Sequence, residues 1–194
     1  MIDFTPTTAL VVVDVQNDFA DPDGSLYVSG GEDVVGAVNA HIVRALSADA
    51  FVVYTQDWHP GSTPHFDVDG GVWPVHCVAG SPGADFHPRL LVAGPVVRKG
   101  SNGEDGYSGF TMRDPETGET TSTELEALLA ARSIVVVVVV GIAFDVCVRA
   151  TALDANRLGF PTTVIQSATA AVELEPGDTE RTKSELTAAG VTLV

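Results

Sequence analysis

The apolar positions change period along the chain, and each change marks an element. Ala9–Val13 is a continuous apolar run closed by Asp14, which predicts a strand buried on both faces. Between Glu32 and Leu46, residues Val35, Val38, Ile42 and Leu46 recur at helical spacing. Phe51–Thr55 predicts a second strand and Gly94–Arg98 a weaker third. Thr123-Glu-Leu-Glu126 fits a capping box that opens a helix through Arg132. Ile134–Val140 is the strongest strand. Its valines, Val135 to Val140, are β-branched throughout and lack alternation, so both faces should be covered. Asp145 then reads as the N-cap of a helix running to about Leu158, with Gly159 just past its end. Thr162–Gln166 predicts a fifth strand, Asp178–Ala189 a last helix stopped by Gly190, and Val191–Val194 a short sixth strand.

Strands alternating with helices imply an α/β fold, a parallel sheet with helices on both faces. No repeat or linker interrupts the pattern, so residues 1–194 are expected to form one domain. The stretch Asp57–Ala93 has little periodicity. Loops of that length in a compact domain are usually functional.

Composition narrows the choice of partner. A net charge of −16 argues against nucleic acid or an anionic membrane surface. No apolar run reaches the length of a spanning helix, and the start lacks the basic region of a signal peptide. Two cysteines are too few for a disulfide framework, so a cytoplasmic protein with reduced thiols is expected.

In an open parallel sheet, ligands bind beyond the carboxyl ends of the strands. The first predicted strand ends at Asp14, the second runs into Asp57 and His59, the third into Lys99, and the fourth into Cys147. An acid, a carboxylate–histidine pair, a lysine and a cysteine therefore meet on one rim. Cys147 can be read as a buried core thiol. It can also be read as a nucleophile, favoured as thiolate by the first turn of a helix and by Lys99, with Asp14 as general base. Backbone N–H groups around Ala143 and Cys147 would then hold an oxyanion. His59, His65 and His76 are three of the five histidines and lie within eighteen residues, beside Asp57. Such a set suits one divalent ion, with Zn, Mn and Fe all open. Cys77 adjoins His76 and is expected to pack rather than ligate. Phe19, Trp58, Trp73, Tyr107 and Phe110 surround this rim, and some of them should wall a flat ligand.

The segments VVVDVQNDF, TQDWHPGSTPHF, WPVHC, RKGSNGEDGYSGF and VVGIAFDVCVRATALDA resemble, in order and over nearly the whole chain, the nicotinamidase/pyrazinamidase branch of the isochorismatase-like cysteine hydrolases. The resemblance implies a three-layer Rossmann-like fold whose six-stranded, mainly parallel sheet has the order 3-2-1-4-5-6. It implies Asp14, Lys99 and Cys147 as a catalytic triad, and Asp57, His59 and His76 as metal ligands, with His65 matching a fourth ligand seen in some members. Phe19, Trp73 and Tyr107 match residues lining a ring pocket, and Ile142–Ala143 matches a cis peptide. The activity implied is hydrolysis of a small aromatic amide, nicotinamide to nicotinate and ammonia, through a cysteine thioester. Pyrazinamide is a second expected substrate, and a homo-oligomer is common in the family. The alternatives are a related cysteine amidohydrolase acting on a carbamoyl or lactam group, and a metal- or thiol-sensing protein without turnover. Two departures stand out. Phe144-Asp145-Val146 replaces the Thr-Asp-Tyr or Thr-Asp-His of many members, which bears on substrate preference. Asp114-Pro-Glu-Thr-Gly118 looks like an inserted turn.

Overall fold

The computed structural model describes residues 2–194. Its centre is the valine strand. Strands β1 (Thr8–Val13) and β6 (Val136–Ile142) lie side by side in parallel, Val13 opposite Gly141. Successive side chains of a strand point to opposite faces. Leu10, Val12, Val138 and Val140 accordingly enter one core with Val35, Val38 and Ile42 of helix α2 (Gly31–Ser47). Ala9, Val11, Val13, Val137 and Val139 enter the other. That second core is closed by Leu125 and Leu129 of α3 (Leu125–Ala131), Ala152 and Ala155 of α4 (Arg149–Arg157), and Leu186 of α5 (Asp178–Ala189). An unbroken apolar strand is thus a strand with a core on each side, as its lack of alternation predicts.

Outward from β1 lie β2 (Phe51–Asp57) and β3 (Val96–Lys99); outward from β6 lie β7 (Thr162–Ala170) and β8 (Thr192–Leu193). The order is β3-β2-β1-β6-β7-β8, and every pairing in this sheet is parallel. It equals the expected order once a separate hairpin is set aside. That hairpin, β4 (Thr111–Arg113) with β5 (Thr120–Ser122), is antiparallel and was not expected. The Asp114–Gly118 turn is its tip: Asp114 Oδ1 accepts from the backbone N–H groups of Glu116 and Thr117. A short helix α1 (Asn17–Ala20) and a 3₁₀ turn (Asp67–Asp69) complete the elements.

Two local expectations are corrected. Thr123 does not form a capping box. Its hydroxyl donates to Gly109 O at 2.6 Å and accepts from Leu125 N–H, so it fastens the helix start to the loop before the hairpin. Asp145 is not an N-cap. It lies inside a π-helical turn, Phe144–Val148, that precedes α4. Its carboxylate accepts instead from the backbone N–H groups of Val172 and Glu173, at 2.9 and 2.8 Å. Two long-range donors outcompete the local cap. The strand ends also reach further than expected, since β2 includes Asp57, β3 includes Lys99, and β6 continues through Gly141 to Ile142.

Candidate active site

The site sits where strand order reverses between β1 and β6. Gly141 makes the close approach possible: a Cβ there would fall 2.1 Å from Val13 O, and its φ of +114° suits glycine. Beyond it the Ile142–Ala143 bond is cis, and the chain turns into the π-helical turn that carries Cys147.

Asp14 directly follows β1 with a φ of +47°, and it is wholly buried. Thr55 Oγ1 donates to its Oδ1 at 2.7 Å, and Lys99 Nζ to its Oδ2 at 2.7 Å. Lys99 is equally buried; it also donates to Gly106 O and lies 2.9 Å from Asp57 Oδ1. The register Asp57 opposite Lys99 on β2 and β3 places that carboxylate and ammonium side by side. One atom each of Asp14, Asp57 and Cys147 lies within 4.8 Å of the others. Asp14, Asp57, Lys99 and Cys147, which the sequence placed on one rim, are therefore together.

The electrostatics follow from burial among opposite charges. Burial alone would deprotonate Lys99, but Asp14 and Asp57 hold its pKa well above the ordinary value, so it is an ammonium. Burial likewise opposes ionisation of Asp57, yet Lys99, with the flanking imidazoles, keeps its carboxyl well below the usual range. Asp14 differs, since burial pushes its pKa up against the pull of Lys99. Burial also pushes the Cys147 thiol well up, opposed by Lys99 and reinforced by Asp14. Cys147 thus rests as a thiol beside a carboxylate of raised proton affinity. Lys99 is the cation that pulls the thiol back toward ionisation.

Next to Asp57, His59, His65 and His76 bring one ring nitrogen each within 4.8 Å of the others. His59 Nε2 and His76 Nε2 lie 3.6 and 3.8 Å from Asp57 Oδ2, too far for hydrogen bonds. Both ring nitrogens of His59 are buried without a partner. His76 Nδ1 donates to Pro74 O at 2.7 Å, which leaves Nε2 as a lone pair. Burial lowers the pKa of His65, consistent with a neutral imidazole. Orphaned imidazole nitrogens beside a carboxylate are a donor set that fits a divalent cation. Cys77 is buried and is no member of this group. Its N–H donates to Asp18 Oδ2 at 2.7 Å.

A cleft opens beside these groups, lined by Phe19, Trp73, Tyr107, Val146 and Val172 together with His65, His76 and Cys147. Trp73 Nε1 donates to Tyr107 Oη at 2.9 Å, which locks the two rings together. Phe110 lies elsewhere, in the core against Phe160, and Trp58 carries the Arg98 guanidinium 3.9 Å over its ring.

Several supporting residues escape a reading of the sequence alone. Gln16 Nε2 donates to Asp57 O and its Oε1 accepts from Asp57 N–H, both at 2.8 Å, so one side chain grips the backbone of the carboxylate residue. Thr55, Asp18 and Asp105 hold Asp14, Cys77 and His65 in turn. A polar residue in or just after a fully buried strand was the available signal for Gln16 and Thr55. Nothing local marks Asp105.

The chain is similar to known proteins over nearly its whole length. The chain is 40% identical to the nicotinamidase/pyrazinamidase of Mycobacterium tuberculosis (strain ATCC 25618 / H37Rv), over 96% of this chain and 97% of that protein. Among solved structures, the pyrazinamidase of Pyrococcus horikoshii in complex with zinc superposes with a TM-score of 0.86 at 36% identity, covering 97% of this chain and 99% of that one. PnC1 from L. infantum in complex with nicotinate gives a TM-score of 0.89 at 38% identity, covering 100% and 95%. The isochorismatase domain model matches residues 8–193, and the chain belongs to the isochorismatase domain family.

Proposed function

We propose that this protein is a metal-dependent nicotinamidase, converting nicotinamide to nicotinate and ammonia, and pyrazinamide to pyrazinoate. The observation that carries the reading is a buried thiol that lines an aromatic cleft, with a buried carboxylate and a buried ammonium next to it and a histidine–carboxylate group beside them. The similarity to nicotinamidases and pyrazinamidases over nearly the full chain supports the choice of substrate.

The chemistry assigned to the residues is as follows. The substrate ring lies between Phe19 and the locked Trp73–Tyr107 pair. The carboxylate of Asp14 takes the proton of Cys147 as Sγ attacks the carboxamide carbon. Lys99 stays protonated and steadies the negative charge that passes between sulfur and carboxylate. Backbone N–H groups of Ala143 and Cys147 hold the oxyanion. Asp14 then gives its proton to the leaving nitrogen, the C–N bond breaks, ammonia departs and a thioester remains. Asp14 accepts a proton from water as the water attacks the thioester, and returns it to sulfur as nicotinate leaves. Asp57, His59, His65 and His76 would hold one divalent ion, Zn, Fe or Mn. When bound, that ion supplies a Lewis-acid centre for the ring nitrogen.

The test is ammonia release from nicotinamide and pyrazinamide by the metal-loaded protein and by Cys147→Ala. The wild type should turn over both, and the variant should fall by about a thousandfold or more. Retained turnover in the variant would rule out the nucleophile.

A further inference from the structure

His65 reaches the group of ring nitrogens from a different direction than its neighbours. His59 lies just past the end of β2, after Trp58, and His76 lies in a stretch tied by Cys77 to Asp18. His65 is held from the segment between β3 and β4. Its Nδ1 lies 2.7 Å from Asp105 Oδ1, and Asp105 is itself nearly buried. An ionised carboxylate can only accept, so Nδ1 carries the hydrogen and Nε2 keeps its lone pair. The His65 ring stacks on His59 at 4.6 Å and 18°, and its centroid is 5.5 Å from that of His76.

Asp105 is anchored on its other side. Its backbone N–H donates to Arg113 O at 2.7 Å and its C=O accepts from Arg113 N–H at 3.0 Å. Arg113 Nη1 lies 3.5 Å from Asp105 Oδ2. Arg113 ends β4, so the carboxylate is tied to the hairpin outside the main sheet. The adjoining residues Gly106 and Tyr107 supply an acceptor to Lys99 and a wall to the cleft.

The geometry points to Asp105 as a positioning residue that fixes the tautomer and orientation of His65 within the proposed ligand set and suspends that side chain from the β4–β5 hairpin. A purely structural role would be different. A staple between two loops needs only one hydrogen bond to His65, and would have no reason to bring its remaining nitrogen close to ring nitrogens of two other buried imidazoles. Outer carboxylates of this kind fix the tautomer and orientation of a metal-binding histidine, and losing one typically costs 10–100-fold in metal affinity. The inference rests on the metal-dependent reading above, but its test uses the metal alone and no amide turnover.

Zn²⁺ affinity is measured by chelator competition for wild type, Asp105→Ala, Asp105→Asn, His65→Ala and the double variant His65→Ala/Asp105→Ala. Asp105→Ala should weaken Zn²⁺ binding by about 10–100-fold. Asp105→Asn, which keeps an acceptor but loses the charge, should fall between it and wild type. The double variant should bind no more weakly than His65→Ala, within about twofold, because Asp105 acts only through His65. Absorption spectra of the Co²⁺-loaded proteins should change alike in His65→Ala and Asp105→Ala. Unchanged Zn²⁺ affinity in Asp105→Asn and Asp105→Ala would overturn the inference, as would losses that multiply in the double variant. Should Asp105→Ala fail to fold, the isosteric Asp105→Asn and the spectrum of His65→Ala still decide it. A protein that binds Zn²⁺ as inferred but hydrolyses no nicotinamide would remove the proposed function and leave this ligand assignment standing.

Discussion

At the scale of single residues, the proposed chemistry passes one proton between Cys147 and Asp14, two groups on which burial acts alike. Cys147 and Asp14 are each pushed above their ordinary pKa by burial, and Lys99 pulls both back. The hydroxyl of Thr55 adds to that pull on Asp14, because a donor favours the charged carboxylate. Replacing it with valine, Thr55→Val, removes the donor and leaves Asp14 harder to ionise. The acid limb of the kcat/KM profile should then move to higher pH, with activity at the plateau reduced less than at pH values below it. A pH–rate profile of the two proteins checks the sign. A limb that stays in place or shifts to lower pH would show that another group sets it. Asp14, Lys99 and Cys147 were legible in the sequence because each stands at the end of an apolar run or shortly after one. Thr55 offered only the weak signal of a polar residue in a buried strand, and Asp105, an aspartate in an acidic loop, offered none. Only the fold shows what they face.

At the scale of elements, the valine strand β6 holds the site in place through its least bulky residue. Gly141 lets β6 pass against Val13 O, where a Cβ would sit 2.1 Å away. Gly141→Ala therefore meets both backbone contact and a φ of +114°. It should cost more than about 4 kcal/mol in stability, in the range reserved for core disruption. Urea denaturation measures the loss, and a cost below about 1 kcal/mol would mean the strands can part without penalty. Element type was plain from the periodicity, and ends were less so. The run Val135–Val140 announces a strand through its β-branched residues, but the continuation through Gly141 and Ile142 depends on pairing with β1 and β7. Asp145 reads as a cap because Asp is a good cap; the two N–H groups that claim it come from Val172 and Glu173, 27 and 28 residues later. The hairpin β4–β5 has strands of three residues each, mostly exposed, and carries no hydrophobic pattern to find.

For the whole molecule, an ion held by the proposed ligands would add to stability. The chain carries −16 net charge and one of its two lysines is buried at the centre. A ligand that binds the folded state alone stabilises it by mass action, by about 2.7 kcal/mol at a hundredfold excess over Kd. Stripping the divalent ion with a chelator should therefore lower Tm by roughly 5–10 °C for a chain of this size. Re-adding Zn²⁺ in excess of the chelator should restore it. Scanning calorimetry of the treated and reloaded protein is the measurement. An unchanged Tm would mean that the histidine group holds no ion in the folded state.

The grip of Gln16 on Asp57 has a consequence for how the site can be watched. The amide of Asp57 is tied up by a side chain, not by a neighbouring strand. It should exchange with deuterium whenever Gln16 swings away, without the sheet coming apart. The amides of Val11 and Val12, inside the central ladder, exchange only when the sheet itself opens. The ratio of the two rates is then a clock for the breathing of the metal-side carboxylate, read at one backbone position while the rest of the molecule stays closed.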